Sequence, residues 1–165
     1  MPRQSMVAEG VRFVTLCTER LGTIYHAPSM NTKDEIIWHL EREYTEPVRD
    51  PLWKHIYLSR GLMRVVDSSD FQQLNRIKQL GPSYLVYPGA THTRLNHSLG
   101  VFHLAKRILR ALVGFDTCID LSVEGVRAFL CASLLHDVGH FPYAHSLKEL
   151  PLREHEELTG KIILS

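Results

Sequence analysis

The amino-acid sequence predicts an all-α fold, and three observations support this prediction. Apolar residues recur at three- and four-residue steps over long stretches, which is typical of amphipathic helices. Patterns typical of strands are few and short. The chain has 165 residues, of which 44% are hydrophobic and 22% are charged, so it is long enough for one domain with a buried core. Together these features indicate a helical bundle.

Residues 1–45 differ from the rest of the chain in their mixed polarity and weak periodicity, and we interpret them as an N-terminal extension. Within this extension, residues 31–44 predict a short amphipathic helix capped by Asn31 or Thr32. The apolar side of this helix would comprise Ile36, Ile37 and Leu40. The domain itself is predicted to occupy residues 46–165. A start of the functional protein near Met30 is a further hypothesis.

The middle of the chain alternates between short helical patterns and extended segments. Residues 50–59 open with a proline turn and predict a short strand or extended segment. A helix capped by Asp67 or Ser68 is predicted over residues 69–81, with Gly81 at its end. Residues 82–90 contain two prolines and a glycine, which predict an extended or looped connection.

Three helical patterns follow in the second half of the chain. Residues 91–115 hold the longest one, with leucines and a phenylalanine at helical steps. Residues 120–137, capped by Asp120 or Ser122, are apolar enough to be central. The last pattern, residues 152–165, runs to Ser165 without a helix stop signal. We therefore expect its apolar face to lack a partner within the chain.

Composition argues against several classes of protein. The formal net charge is +1, which indicates neither a nucleic-acid partner nor an anionic membrane surface. The uninterrupted apolar stretches are too short to span a bilayer. The three cysteines form no Cys-x-x-Cys motif, which suits free thiols in a reducing cytoplasm. The sequence thus predicts a cytoplasmic protein without a membrane partner.

Ionisable residues cluster at the end of an apolar run in "SLLHDVGHFPYAHSL". Burying an imidazole or a carboxylate without a partner is costly, and a metal ion is the first candidate partner. Gly139 can end the helix here, so His136 and Asp137 could offer a nitrogen and an oxygen to one ion. His97 is the best candidate for a third ligand, since it lies on a second long helix and faces the same way as Arg94.

Simpler interpretations apply to each of these residues taken singly. A neighbouring His–Asp pair is more often a satisfied hydrogen bond than a metal site, and His97 would be a half-exposed helical residue. His140 and His145 would be loop residues, and His155 would lie on a solvated helix face. The residues by themselves therefore indicate a metal or acid–base cluster on a helical scaffold. Mixed nitrogen and oxygen ligands suit a divalent Fe, Mn, Mg, Co or Zn ion, without a choice among them.

Two motifs make the prediction more specific. "YLVYPGATHTRLNHSLGVFHLA" together with "LLHDVGHFPYAHSL" resembles the HD-domain phosphohydrolases, in particular the deoxynucleoside triphosphate triphosphohydrolase branch. The resemblance covers residues 46–165 and implies the N-terminal portion of an HD-domain helical bundle. It also implies His97, His136 and Asp137 as metal ligands. The family's second ligating aspartate lies well downstream, and this chain has no candidate for it.

The resemblance further implies roles around the metal. Arg94 would contact substrate phosphate and Gln79 would lie near the sugar. The histidines that would line the phosphates are His140, His145 and His155, of which His145 would protonate the leaving 5′-oxygen. The implied reaction is hydrolysis of a deoxynucleoside triphosphate (dNTP) to deoxynucleoside and triphosphate, by a protein that is a homo-oligomer when intact.

Two alternatives stay open at this point. The first is a phosphohydrolase acting on another nucleotide or phosphoester. The second is a non-catalytic HD module that binds nucleotide or mediates assembly, because the last metal ligand is absent from this chain. The chain also departs from the family pattern at Trp53–Lys54, where the family often has His–Gly.

Overall fold

A computed structural model describes residues 32–115, 121–142 and 155–164, and it is predominantly helical with one small sheet. The all-α prediction is therefore confirmed, with a two-stranded hairpin as its exception. Among the described helices, none combines the length and the apolar character that a membrane span requires.

Helix α1 (Thr32–Arg42) leads into the hairpin of β1 (Glu46–Asp50) and β2 (Lys54–Leu58), which pair antiparallel with Val48 opposite Ile56. The Asp50 carboxylate stabilises the connecting turn by accepting hydrogen bonds from the backbone N–H groups of Leu52 and Trp53, at 2.8 and 2.9 Å. The extended segment predicted for residues 50–59 is thus the turn and second strand of this hairpin.

Lys54 closes the hairpin turn with a φ of 64°, in the left-handed region that favours glycine. This is the position at which the resemblance implies glycine, a residue that this backbone conformation would favour. The lysine side chain is exposed, so it meets no steric conflict with the core. The departure at Lys54 therefore costs backbone strain and leaves the turn in place.

The helix predicted over residues 69–81 is wrong in its extent. After α2 (Arg60–Val66), the helix α3 (Ser69–Gln72) makes one turn and continues only as a 3₁₀ segment, Gln73–Arg76. The backbone becomes extended at Ile77, whose carbonyl accepts a hydrogen bond of 2.9 Å from the Arg94 N–H. Pairing with the start of the next long helix therefore overrides the local helical pattern. A second 3₁₀ segment, Gly81–Leu85, lies in the predicted loop.

Helices α4 (Arg94–Gly114) and α5 (Val123–Leu135) are the long helices that the periodicity predicted. Thr93 and Asn96 form a capping box at the start of α4, in which each side chain accepts from the other residue's backbone N–H. Ser122 caps α5 by accepting a hydrogen bond of 3.0 Å from the Gly125 N–H. These caps fix where both helices begin.

The core lies where α4 and α5 pack together and α1 covers them. Phe71, Phe102, Leu130 and Leu134 are completely buried there. Burying each such side chain contributes about 1.5–3 kcal/mol relative to exposure in water. Ile36 and Leu40 of α1 belong to the same core. The division into an extension over residues 1–45 and a domain over 46–165 stays a prediction, with α1 packed on the domain.

Helix α6 (His155–Leu164) corrects the expectation of an unpartnered last helix. Ile162 and Ile163 pack against the core, and Thr159 is buried. The turn after α5 supplies the surface on which this helix docks, because the Gly139 N–H donates a 2.9 Å hydrogen bond to Thr159 Oγ1. The apolar side chains of Ile162 and Ile163 therefore have a partner in the chain.

Candidate metal centre

A cluster of potential metal ligands forms where the start of α4 meets the end of α5. His97 lies in the first turn of α4, His136 directly follows α5, and Asp137 is the next residue. One ligand atom from each lies within 4.8 Å of the others, and the two histidine Nε2 atoms are 3.3 Å apart. The structure thus brings together the three residues proposed as ligands, and their binding of a metal stays a prediction.

His136 is oriented by the last turn of α5. Its Nδ1 lies 3.0 Å from the carbonyl oxygen of Ser133, which can accept a hydrogen bond from the ring. A proton on Nδ1 leaves the Nε2 lone pair directed toward His97 and Asp137. This is the tautomer that a metal ligand needs, so the backbone of α5 prepares His136 for coordination.

Asp137 forms a buried ion pair with Arg94. The guanidinium Nη1 donates a 2.8 Å hydrogen bond to Asp137 Oδ2, and both side chains are less than a tenth exposed. Burial by itself would raise the pKa of Asp137, but the hydrogen bond from Arg94 and the nearby His136 outweigh it, so the pKa lies below its usual value. The carboxylate is therefore charged and fixed in position, as a metal ligand must be.

The buried ion pair is a feature that sequence reasoning missed. Arg94 was expected to contact substrate phosphate, and the structure finds it buried against a proposed ligand. The three-residue spacing of Arg94 and His97 indicated only that both face the same way. Asp137, which both residues face, lies 43 residues downstream of Arg94, beyond the reach of local spacing.

Burial lowers the pKa of His97 below its usual value, more than the Asp137 carboxylate raises it. The nearby His136 and Arg94 lower it further. His97 therefore favours the neutral form, which is the form that coordinates a metal ion.

His140 lies beside the cluster. Its side chain is fully buried, with Nε2 3.7 Å from Asp137 Oδ1, and its backbone N–H donates to the Asp137 carbonyl at 2.9 Å. Its proposed contact with phosphate stays a prediction. His145 lies outside the described residues. His155 opens α6, and its side chain is outside the described part as well.

Two distant residues hold the turn that carries His136 and Asp137. Thr159 Oγ1 accepts from the Gly139 N–H and donates to the His136 carbonyl at 3.4 Å, which closes the turn from the α6 side. Gln73 Nε2 donates to the Val138 carbonyl at 3.3 Å. Neither residue was predicted, because both contacts depend on how distant segments pack.

Gln79 lies close to the start of α4 in the backbone pairing. Its N–H donates to the His92 carbonyl at 3.1 Å, and the neighbouring Lys78 pairs with Thr93. The side-chain oxygen Oε1 is buried and accepts no hydrogen bond from the described residues. A buried acceptor of this kind favours a donor from beyond the described residues. The predicted position of Gln79 near a sugar stays a prediction.

The donor set fits a divalent cation. It comprises two imidazole nitrogens and one carboxylate oxygen, with a neutral histidine and a charged aspartate. Imidazole nitrogens suit Fe and Zn, and a carboxylate oxygen suits Mn and Mg as well. The residues therefore fit the metal that the resemblance implied, and they leave its identity open.

Comparison with known proteins identifies a family match in the region that contains the candidate metal centre. Residues 94–164 match the family model described as the HD domain. The chain carries an HD domain. HD domains are metal-dependent, and the cluster of potential metal ligands in this chain lies within the matched residues. The resemblance to HD-domain phosphohydrolases of the dNTPase branch is confirmed by the relatives that follow.

Over 127 residues, the HD-domain chain is 38% identical to deoxynucleoside triphosphate triphosphohydrolase SAMHD1 from Bos taurus, covering 77% of this chain and 21% of that protein. An uncharacterized protein from Methanocaldococcus jannaschii is 43% identical over 61% of this chain and 20% of its own length. A crystal structure of a phosphohydrolase from Bacteroides thetaiotaomicron superimposes with a TM-score of 0.61 at 38% identity, over 68% of this chain and 29% of that one. The chain thus spans about a fifth of these two curated relatives.

Proposed function

We propose that the protein is a metal-dependent phosphohydrolase that converts dNTPs to deoxynucleoside and triphosphate. The observation that supports this most directly is the convergence of His97, His136 and Asp137 within the HD-matched region. A SAMHD1 relative named as a deoxynucleoside triphosphate triphosphohydrolase supports the choice of substrate. Homo-oligomerisation of the intact protein and a cytoplasmic location belong to the same proposal.

In this proposal His97, His136 and Asp137 hold the cation. A divalent cation held by these residues would supply Lewis acidity toward a phosphoryl oxygen and toward water. Arg94 keeps Asp137 charged and aligned through its 2.8 Å hydrogen bond. The Arg94 Nε is buried and donates no hydrogen bond within the described residues, so the guanidinium retains a donor for a phosphate oxygen.

The remaining proposed residues act on the nucleotide. The unpartnered Oε1 of Gln79 would accept a hydrogen bond from a sugar hydroxyl. His140, His145 and His155 would line the phosphates. His145 would donate the proton that the leaving 5′-oxygen needs, since imidazole titrates near neutral pH.

A direct test loads the 165-residue chain separately with Mn, Fe, Co, Zn and Mg, measures bound metal by mass spectrometry, and incubates each form with dGTP. We expect deoxyguanosine and triphosphate as products. His97→Ala should lose metal and turnover, whereas the matched control His55→Ala, an exposed histidine of β2, should retain both.

The products distinguish the alternatives. Release of orthophosphate or pyrophosphate from dGTP, or turnover only of bis(4-nitrophenyl) phosphate, would contradict the dNTP triphosphohydrolase and favour another phosphoester. Stoichiometric metal with no turnover of any substrate would favour a nucleotide-binding or assembly module. The non-catalytic module has a structural argument in its favour. The described cluster provides three ligands, whereas the resemblance implies a further aspartate.

A further inference from the structure

A second concave site lies on the other side of α4 from the metal centre. A cavity of about 400 Å³ opens between α1, β2 and α4, and its polar lining includes Glu41, Tyr57, Lys106, Arg107 and Arg110. We call it the basic pocket. Lys106 follows His97 by nine residues, which places the two side chains on opposite faces of the helix and about 14 Å apart along its axis. The basic pocket is therefore separate from the metal centre.

Positive charge in the basic pocket exceeds negative charge. Arg110 pairs with Glu41, the carboxylate of the lining, at 2.6 Å. The next acidic residue, Glu43, is engaged by Arg127 at 2.9 Å and His39 at 3.1 Å. In the described segments, no carboxylate lies within ion-pair distance of Lys106 or Arg107. The pocket thus presents two cations that form no ion pair within the described segments, and the Glu43 carboxylate offsets the charge of Lys106 only from a longer distance.

Lys106 is held in this position at an energetic cost. Its ammonium lies 4.3 Å from the centre of the Tyr44 ring, a cation–π contact at the floor of the pocket. Burial and the neighbouring Arg110 lower its pKa from 10.5 to about 8. A half-buried ammonium is disfavoured unless an anion offsets it, so the position favours binding of an anion.

Aromatic rings organise the rim. The Trp53 ring packs on His103 with 4.8 Å between ring centres, and the Arg107 guanidinium lies 5.9 Å from the same indole. Burial and the nearby Arg107 and Lys106 lower the pKa of His103, so this histidine is neutral and adds an apolar surface. Tyr57 is 46% exposed at the mouth. The site therefore combines cations with ring faces, as pockets for small organic anions do.

We propose that the basic pocket binds a small phosphorylated molecule with an aromatic or apolar portion. Its phosphate would lie between Lys106 and Arg107, whose five-donor fork suits phosphate geometry. Its apolar portion would pack on Tyr57. A phosphate is a better match than a single carboxylate, because its second negative charge offsets the second cation. The cavity volume falls within the range of small-molecule sites.

The test titrates the metal-free 165-residue chain with phenyl phosphate and with inorganic phosphate by calorimetry. Phenyl phosphate should bind more tightly than inorganic phosphate, and Tyr57→Ala should remove that difference. Lys106→Met and Arg107→Gln should each weaken phenyl phosphate binding about tenfold or more. Arg64→Gln, which removes an exposed arginine of α2, is the charge-matched control and should bind as the wild type does.

Mapping on the wild-type chain avoids dependence on the fold of a variant. Phenyl phosphate should protect Lys106 from acetylation, measured by peptide mass spectrometry, and should leave exposed Lys78 unprotected. Absence of protection, or wild-type affinity in Arg107→Gln, would overturn the proposal. His97→Ala separates this proposal from the phosphohydrolase, since it should abolish metal binding and leave phenyl phosphate binding unchanged.

Discussion

The two faces of α4 handle charge in opposite ways. At its first turn, the Arg94 guanidinium is neutralised by Asp137 at 2.8 Å, and two histidine nitrogens face the same point. Three turns later, Lys106 and Arg107 have no such counter-charge among the described residues. The first face is prepared for a cation, because a charged carboxylate is aligned with two imidazole nitrogens. The second is prepared for an anion. One helix therefore separates two complementary binding chemistries.

The largest effect is expected from Asp137→Asn. This change leaves the buried Arg94 charge without a partner, which should destabilise the fold by about 3–5 kcal/mol, and it removes the anionic metal ligand. Denaturant unfolding and metal content measure both consequences. The control Asp70→Asn changes an exposed aspartate of α3 and should alter neither. Unchanged stability in Asp137→Asn would contradict our inference that Asp137 neutralises the buried charge of Arg94.

The hydrogen bonds of Thr159 provide a second way to disturb the first face. Thr159→Val keeps the shape but leaves the buried Gly139 N–H unpaired, at a cost of about 1–3 kcal/mol. Because the same turn carries His136 and Asp137, metal affinity should also fall, by about 10–100-fold. Thr159→Ser should restore both quantities, and metal affinity in the valine variant equal to wild type would show that the turn is fixed without Thr159.

A substitution at Lys54 tests the hairpin turn that supports the second face of α4. Lys54→Gly should stabilise the chain by about 1 kcal/mol, because it relieves the left-handed φ of 64° in the turn that presents Trp53 to Arg107. Thermal unfolding measures this gain. Lys54→Ala removes the same charge and retains the strain, so an equal gain in the alanine variant would attribute the effect to charge.

The smallest effect is a dependence of stability on pH. The folded-state pKa of Lys106, about 8, lies below that of an unfolded lysine, 10.5. Between these values the unfolded chain binds the proton more tightly, so unfolding free energy should rise with pH from about 8 to 10. Lys106→Met should lack this increment when the two proteins are compared by denaturant unfolding at each pH. The difference is small, since Lys106 is partly solvated.

Parallel curves for the two proteins would show that Lys106 titrates as an ordinary lysine. In that case the second face would lose its argument from charge, and the phenyl phosphate titration would decide by itself whether an anion binds there.

Local pattern predicted the features that depend on neighbours in sequence. The periodicity of α4 and α5 and the cap at Ser122 are properties of consecutive residues, and they were predictable. The 3₁₀ segment Gln73–Arg76 was not, because the extended backbone at Ile77 is stabilised by a hydrogen bond from Arg94. Helical patterns depend only on neighbouring residues, so they could not show that α6 packs against the core.

The candidate site divides along the same line. Residue type and the family resemblance selected His97, His136 and Asp137, and the fold brings them together. The contacts that hold them were missed, since Arg94, Gln73 and Thr159 reach their partners across 43, 65 and 20 residues. Contacts of that range follow from tertiary packing, which spacing does not encode.

The bond between Thr159 and Gly139 makes the amide of Gly139 a reporter on the seating of α6. This amide is buried, and its acceptor belongs to a different helix, so its hydrogen can exchange with solvent only when α6 lifts away from the turn. A cation bound to His136 and Asp137 would slow that exchange by stabilising the seated form. Hydrogen–deuterium exchange at the Gly139 amide would therefore measure both whether α6 is docked and whether a cation is bound at His136 and Asp137.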